Sequence, residues 1–178
     1  MKKDLYIKFE ELEKSRVALF KQLDGLNDKE INFKNDPAKW SVVQIIFHLV
    51  KSEQLTVIAF NRNLEKTQKL KNSGIMGFFR HISLSIALKS SLKFKAPRML
   101  SNMPDKYDIQ ELKNKWDTIR NNFSEVLEKL PESIGNKATF KHPLAGWLNS
   151  NQMLDFLKNH FDHHNRQIQN LMEVQKQN

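Results

Sequence analysis

Four stretches of the chain place apolar residues three and four positions apart, the pattern of helices that bury one face. The first stretch covers roughly 4–24, and the second is the run SVVQIIFHLVKSEQLTVIAFNRNLEK that begins at Ser41. The third runs from Asp108 to Pro131, and the fourth begins near 149–150. Four amphipathic segments of this length predict an all-α protein built as a four-helix bundle.

Three of the predicted helix starts carry a capping-box signature, in which a small polar residue precedes Glu or Gln by three positions. These pairs are Ser41 with Gln44, Asp108 with Glu111, and Asn149 with Gln152. In the first helix, the predicted apolar face consists of Leu5, Phe9, Leu12, Val17, Phe20 and Leu23. Only five glycines and five prolines occur, mainly between the periodic segments, which favours helices over a β architecture with many turns.

Residues 67–107 form an irregular basic insertion between the second and third predicted helices. Gly74, Gly77 and Pro97 interrupt the apolar pattern there. The connection is long enough to act as a crossover, so the bundle need not alternate simply up and down. The chain is predicted to be a single domain over residues 1–178, a length that suits one hydrophobic core.

The positive charge is concentrated in residues 66–98, which contain eight Lys or Arg and no Asp or Glu. This segment therefore carries +8 of the net +9 and leaves +1 for the rest. Such a segment can bind an acidic partner, anionic lipid or nucleic acid. Only Phe78, Phe79 and Phe94 interleave the charges, too few aromatic residues for base stacking, so we expect no nucleic-acid partner. The favoured interpretation is a solvated flap whose apolar side covers the bundle.

The absence of cysteine excludes disulfides, thiolate ligands and a cysteine nucleophile. Nitrogen and oxygen are then the donors left for a metal ion. The N-terminus MKKDLYIKFEELEKS leads directly into a charged amphipathic pattern, unlike a signal peptide. We read no run of 18 or more apolar residues that would predict a membrane span, and we expect a cytoplasmic protein.

The fourth predicted helix carries three histidines within five positions, in the run HFDHH. At about 100° per residue, His160 and His164 fall on the same line as Met153, Leu157 and Ile168, the apolar stripe of the helix. A single histidine on such a stripe is usually structural. Two at this spacing have Cβ atoms roughly 5–6 Å apart, which also suits two ligands of one metal ion.

A third imidazole comes from the middle of the second predicted helix. His48 lies on a strip that is part apolar and part small or polar, whereas bulky residues such as Ile46 and Phe47 point elsewhere. Such a strip is typical of a cavity wall, and also of a helix flank beside a neighbouring helix, and facing helices build metal sites in bundle cores. One imidazole here and two on the fourth helix would leave coordination positions open, as catalytic zinc sites do.

Four further residues are interpreted from their positions in the predicted elements. His163 and Gln167 are candidate catalytic or substrate-binding residues, although His163 lies on the flank of its helix, where a surface position is the simpler interpretation. Gln167 could instead bond the second nitrogen of a histidine ligand. His142 precedes a proline and is interpreted as a structural residue of a turn. Glu53 points away from the line of His48 and is predicted to be solvated.

Two motifs resemble those of the DinB-like superfamily. KWSVVQIIFHLVKSEQ (39–54) is similar to its second-helix motif, in which Trp-Ser precedes a helix with a histidine ligand. HPLAGWLN followed by HFDHHNRQI is similar to its last-helix motif, His-x-x-x-His followed by a glutamine. The resemblance implies a four-helix bundle with a long crossover, a metal site formed by His48, His160 and His164, and a homodimer.

The resemblance also implies a metal-dependent enzyme, because the family contains bacillithiol- or mycothiol-dependent transferases and metal-dependent hydrolases. Bound Zn²⁺ or Ni²⁺ would lower the pKa of a low-molecular-weight thiol or of water, and either could then attack a small electrophilic substrate. A peptidase-type His-Glu-x-x-His motif is excluded because Phe161 occupies the glutamate position. The alternative is a non-catalytic basic bundle that binds an acidic partner or nucleic acid through residues 66–98.

Overall fold

The computed structural model describes residues 2–66, 70, 72, 106–134 and 136–177. Four long helices dominate it, which confirms the predicted all-α four-helix bundle. The described elements are α1 (Lys2–Leu23), the short α2 (Asp28–Ile31), α3 (Val42–Leu64), α4 (Ile109–Glu128), a 3-10 turn (Glu132–Ile134), a hairpin of β1 (Phe140–His142) and β2 (Gly146–Leu148), and α5 (Ser150–Gln177).

The four long helices do not follow one another around the bundle. Both α1 and α3 pack against α4 and α5, so α1 and α3 occupy opposite corners. Contacts between α3 and α4 advance in the same direction along both helices, from Phe47 with Tyr107 to Phe60 with Phe123. These two neighbours are therefore parallel, whereas a short loop can join only antiparallel ones.

A parallel pair of consecutive helices requires a connection that returns along the length of the bundle, as the predicted crossover does. The insertion predicted over 67–107 lies outside the described residues except at 70, 72, 106 and 107. The basic segment 66–98 also lies outside them, except at 66, 70 and 72. Asn72 forms an isolated antiparallel bridge with Lys137, so Asn72 lies beside the segment that leads to the hairpin.

Helix capping agrees with the sequence at two starts and differs at a third. Ser41 caps α3 in a reciprocal box with Gln44. Asn149 and Gln152 exchange side-chain-to-backbone hydrogen bonds of 3.0 and 2.9 Å at the start of α5. Asp108 caps α4 through the N–H of Gln110 and of Glu111. The side chain of Glu111, however, accepts a hydrogen bond from the Tyr107 hydroxyl, so the prediction of a capping box there was wrong.

Short α2 was not predicted, although its sequence carries the signal. The Asn27 side chain accepts hydrogen bonds from the N–H groups of Lys29 and Glu30, and the Glu30 carboxylate accepts one from the N–H of Asn27. This is a complete capping box on a helix of only four residues. It lies between the first two predicted helices, where no element was assigned.

The first helix turns a slightly different face to the core than predicted. Val17 is 55% exposed, so its assignment to the apolar face was wrong. Leu19 and Arg16 are buried instead. The reason is that the guanidinium of Arg16 pairs with Glu13 on its own helix and with Asp117 on α4. A charged residue thus occupies a buried position of α1, and the spacing of apolar residues alone cannot predict it.

The predicted solvation of Glu53 was also wrong. Glu53 is 4% exposed and forms a two-pronged ion pair with Arg120 of α4, whose Nη2 lies 2.9 Å from Oε2. The Arg120 guanidinium also contacts Glu13 of α1 at 3.3 Å, and it lies over the ring of Phe9. This network links α1, α3 and α4, and it fixes the register of the parallel pair.

Among the described helices, α3 is long and apolar enough to cross a membrane by length and composition, in contrast with our reading of the sequence. Most of its apolar window is buried inside the bundle. Contacts with α4 and α5 cover this helix. Its apolar character is therefore the one expected of a helix in the bundle core.

We predict that Glu53→Gln lowers the free energy of unfolding by about 3 kcal/mol, because it leaves the buried Arg120 guanidinium without its main counter-charge. The matched control is Glu125→Gln, whose partner Lys129 is 78% exposed in an i,i+4 pair on α4. That change should cost less than about 1 kcal/mol. Urea unfolding followed by circular dichroism measures both, and equal losses would contradict a structural role for the buried pair.

Candidate metal centre

Three imidazoles meet between α3 and α5. The Nε2 atom of His160 lies 3.1 Å from Nε2 of His48 and 3.2 Å from Nε2 of His164. The three nitrogen-donor side chains have candidate ligand atoms within 4.8 Å of one another. The structure thus brings together the three residues that the sequence singled out, from the two helices that were predicted to supply them.

The distances between the nitrogens fit one shared ion. With metal–nitrogen bonds of about 2.0–2.1 Å, two ligand nitrogens are about 2.9 Å apart at a right angle and about 3.3 Å apart at a tetrahedral angle. The two contacts at His160 lie between these values. Imidazole nitrogens are also the donors that zinc, copper, iron and nickel accept. The donor set and its spacing therefore fit a divalent transition metal.

Burial keeps these imidazoles neutral. His48 is 5% exposed and His164 is 7% exposed. Desolvation lowers the pKa of His48 to about 4 and that of His164 to about 3, with a smaller effect from the charges of neighbouring histidines. The same causes lower the pKa of His160 well below its ordinary value. Each ring therefore offers a free lone pair at neutral pH, the form that binds a metal.

The second ring nitrogen of His164 is held by Gln167, as the sequence suggested for this glutamine. Nδ1 of His164 lies 2.9 Å from Oε1 of Gln167. Because the amide oxygen can only accept, Nδ1 carries the hydrogen and Nε2 keeps its lone pair toward the other two imidazoles. Gln167 also contacts Nε2 of His163 at 3.1 Å through its amide nitrogen. His163 is half-buried at the edge of the cluster.

Aromatic rings form the walls of the site. Trp40, the residue before the N-cap of α3, lies 5.1 Å from His48 and 6.3 Å from His164 between ring centroids. Phe156 stacks on His160 from one turn earlier in α5. The sequence motif included Trp40 but assigned it no role, and Phe156 was not singled out. Its i,i+4 spacing from His160 was the available signal.

His142 supports the wall from the hairpin and has the structural role proposed for it. Its Nδ1 accepts hydrogen bonds from the N–H groups of Leu144 and Ala145, at 3.1 and 3.0 Å, and so closes the turn between the strands. The other face of its ring packs against Phe156, with 4.4 Å between centroids. The hairpin itself was not predicted, although Gly146, with φ of 72°, marks its turn.

A four-helix bundle with a three-histidine cluster between two of its helices defines the class of this protein. The profile of the DinB superfamily matches residues 11–168, which is most of the chain. The protein therefore belongs to the DinB superfamily, and the resemblance found in its two sequence motifs is confirmed.

Two relatives from Bacillus subtilis agree with this assignment. The uncharacterized protein YuaE is 24% identical over 159 residues, which cover 89% of this chain and 93% of YuaE. The solved structure of YfiT superposes with a TM-score of 0.63 at 16% identity, covering 97% of this chain and 87% of that chain. YfiT is described as "a probable metal-dependent hydrolase with an unusual four-helix bundle topology". At this identity the likeness shows the shared fold.

We predict that His142 makes the metal-free protein less stable as the pH falls. Burial lowers its pKa to about 4, whereas the unfolded value is 6.5. Above pH 6.5 both states are neutral, and between 6.5 and 4 the unfolded state alone binds the proton. Stability attributable to His142 is therefore lost as the pH falls through this window, by up to about 1.4 kcal/mol per pH unit.

The variant His142→Asn should flatten this dependence, because an asparagine oxygen can still accept the two turn hydrogen bonds but does not titrate. Urea unfolding between pH 7 and pH 5 measures the slope for the two proteins. Parallel pH profiles would show that His142 does not resist protonation in the folded state.

Proposed function

We propose that this protein is a metal-dependent enzyme in which His48, His160 and His164 hold a divalent ion, with Zn²⁺ or Ni²⁺ as the candidates. The observation that carries the proposal is the convergence of three neutral imidazole nitrogens at 3.1 and 3.2 Å inside the bundle. Three protein ligands leave positions for a water or a substrate, as in catalytic sites. The description of YfiT as a probable metal-dependent hydrolase supports the same conclusion.

A divalent ion held by neutral ligands supplies Lewis acidity that lowers the pKa of a bound water or thiol toward neutrality. The residues of the chain supply the setting for this chemistry. Neutral imidazoles leave the charge of the ion uncompensated, and Trp40 and Phe156 keep the surroundings apolar, which strengthens electrostatic interactions at the site. Gln167 orients His164.

The nucleophile is either water, in a hydrolase, or a low-molecular-weight thiol, in a transferase of the bacillithiol type. The described candidate cluster contains three histidines and no carboxylate. A dedicated carboxylate base is therefore not part of it, and an ion held by the three histidines would have to supply the activation of the nucleophile. In both versions the nucleophile attacks a small electrophilic substrate, and the same three histidines are the metal ligands.

The first test is metal content. Protein purified without a histidine tag should contain close to one equivalent of Zn²⁺ or Ni²⁺ by elemental analysis, and His160→Gln should lose nearly all of it. His142→Asn is the matched control, because His142 is a buried histidine beside the site that bonds the hairpin turn. Activity that survives complete loss of the metal in His160→Gln would overturn the proposal.

The second test separates water from thiol. Adding bacillithiol to the Co²⁺-substituted protein should produce a sulfur-to-cobalt charge-transfer band if a thiol binds the ion, and conjugation to monochlorobimane should then require the metal. The hydrolase version predicts instead no new band, together with metal-dependent hydrolysis of an activated ester. The absence of both activities in the fully loaded protein would contradict the assignment as an enzyme.

We further predict that protonation of the ligands adds almost no pH dependence to metal affinity between 6 and 8. The lowered pKa values leave His48 and His164 neutral throughout this range, so binding displaces no protons from them, and a bound water with a pKa near 7 would change the affinity by only about tenfold. Three imidazoles at the ordinary pKa of 6.5 would instead lose roughly 65-fold in affinity as the pH falls from 8 to 6. Chelator competition at several pH values measures the difference. A steep loss below pH 7 would contradict the buried, neutral state of the site.

A further inference from the structure

The side-chain amide of Gln167 bridges two histidines at the edge of the cluster. Its oxygen lies 2.9 Å from Nδ1 of His164, and its nitrogen lies 3.1 Å from Nε2 of His163. Helix geometry makes both contacts available, since Gln167 follows His164 by three residues and His163 by four. One amide thus connects a candidate ligand with a histidine outside the set of three.

The two ends of this amide have opposite hydrogen-bonding properties, so its orientation matters. With Oε1 toward His164, Nδ1 must carry the hydrogen and Nε2 is free to bind a metal. With the amide reversed, Nε2 of Gln167 would donate to Nδ1, and the hydrogen of His164 would move to the nitrogen that faces His48 and His160. That tautomer cannot act as a ligand through Nε2.

We propose that His163 is a positioning residue that selects the metal-binding orientation of Gln167. Nε2 of His163 accepts a hydrogen bond from the amide nitrogen, which leaves the amide oxygen for His164. This inference rests on the proposed metal site. It assigns His163 an indirect effect on metal affinity, through the amide of Gln167.

Among the described residues, His48 differs from His164 in having no side chain that fixes its tautomer. Its Nδ1 is buried and has no hydrogen-bond partner in the described part of the chain, so no side chain there fixes its tautomer. His48 is instead held by ring contacts with Trp40 and with the other two imidazoles. Of His48 and His164, it is His164 whose tautomer is controlled by a side-chain hydrogen bond.

The test is a double-mutant cycle on metal affinity, read by chelator competition with Zn²⁺ and by the visible spectrum of bound Co²⁺. His163→Ala should weaken binding about 3- to 10-fold, the worth of one hydrogen bond. Gln167→Ala should weaken it about 10- to 100-fold, as loss of a partner behind a ligand does. Gln169→Ala, an exposed glutamine on the same helix, is the matched control and should leave affinity unchanged.

The decisive arm uses Gln167→Glu, in which both side-chain oxygens accept and the orientation no longer matters. In that background His163→Ala should change affinity by less than about twofold, because the two effects are coupled through the amide. An equal loss in both backgrounds, or no loss in wild type, would overturn the role of His163. Failure of wild-type protein to bind metal at all would instead overturn the proposed function, so the two failures are distinguishable.

Discussion

The arrangement of this protein depends on three neutral imidazoles whose lone-pair nitrogens face one another in a region shielded from water. His160 approaches both His48 and His164 to about hydrogen-bonding distance, yet a neutral imidazole has a single N–H to give. A hydrogen that His164 donates to Gln167 is not available to the cluster. Desolvation also opposes protonation. A shared cation satisfies all three nitrogens at once, which is why a metal is the simplest occupant.

The bundle topology serves this convergence. Because α3 packs against both α4 and α5, it can present His48 to α5 on one side and Glu53 to α4 on the other. The buried pair of Glu53 with Arg120 fixes the position of α3 along α4, and it thereby fixes the height of His48 in the bundle.

Much of the fold and site was predictable because the signals are local. Capping boxes and an i,i+4 histidine pair depend on residues one turn apart, and Ser41 with Gln44 and His160 with His164 illustrate them. The burial of Glu53 and of Arg16 was not predicted, because it depends on partners supplied by another helix. The hairpin around His142 was not predicted because its strands have three residues each, too few for an alternating pattern. Helix order in the bundle depends on tertiary packing, which no local pattern encodes.

The convergence of three nitrogens on one ion is tested most directly by anomalous diffraction from crystals of metal-reconstituted protein, recorded on both sides of the absorption edge. The account predicts one anomalous peak that lies about 2.0–2.2 Å from Nε2 of His48, His160 and His164. A peak held by other residues would contradict it. So would crystals that show the three imidazoles hydrogen-bonded to one another in the presence of excess metal.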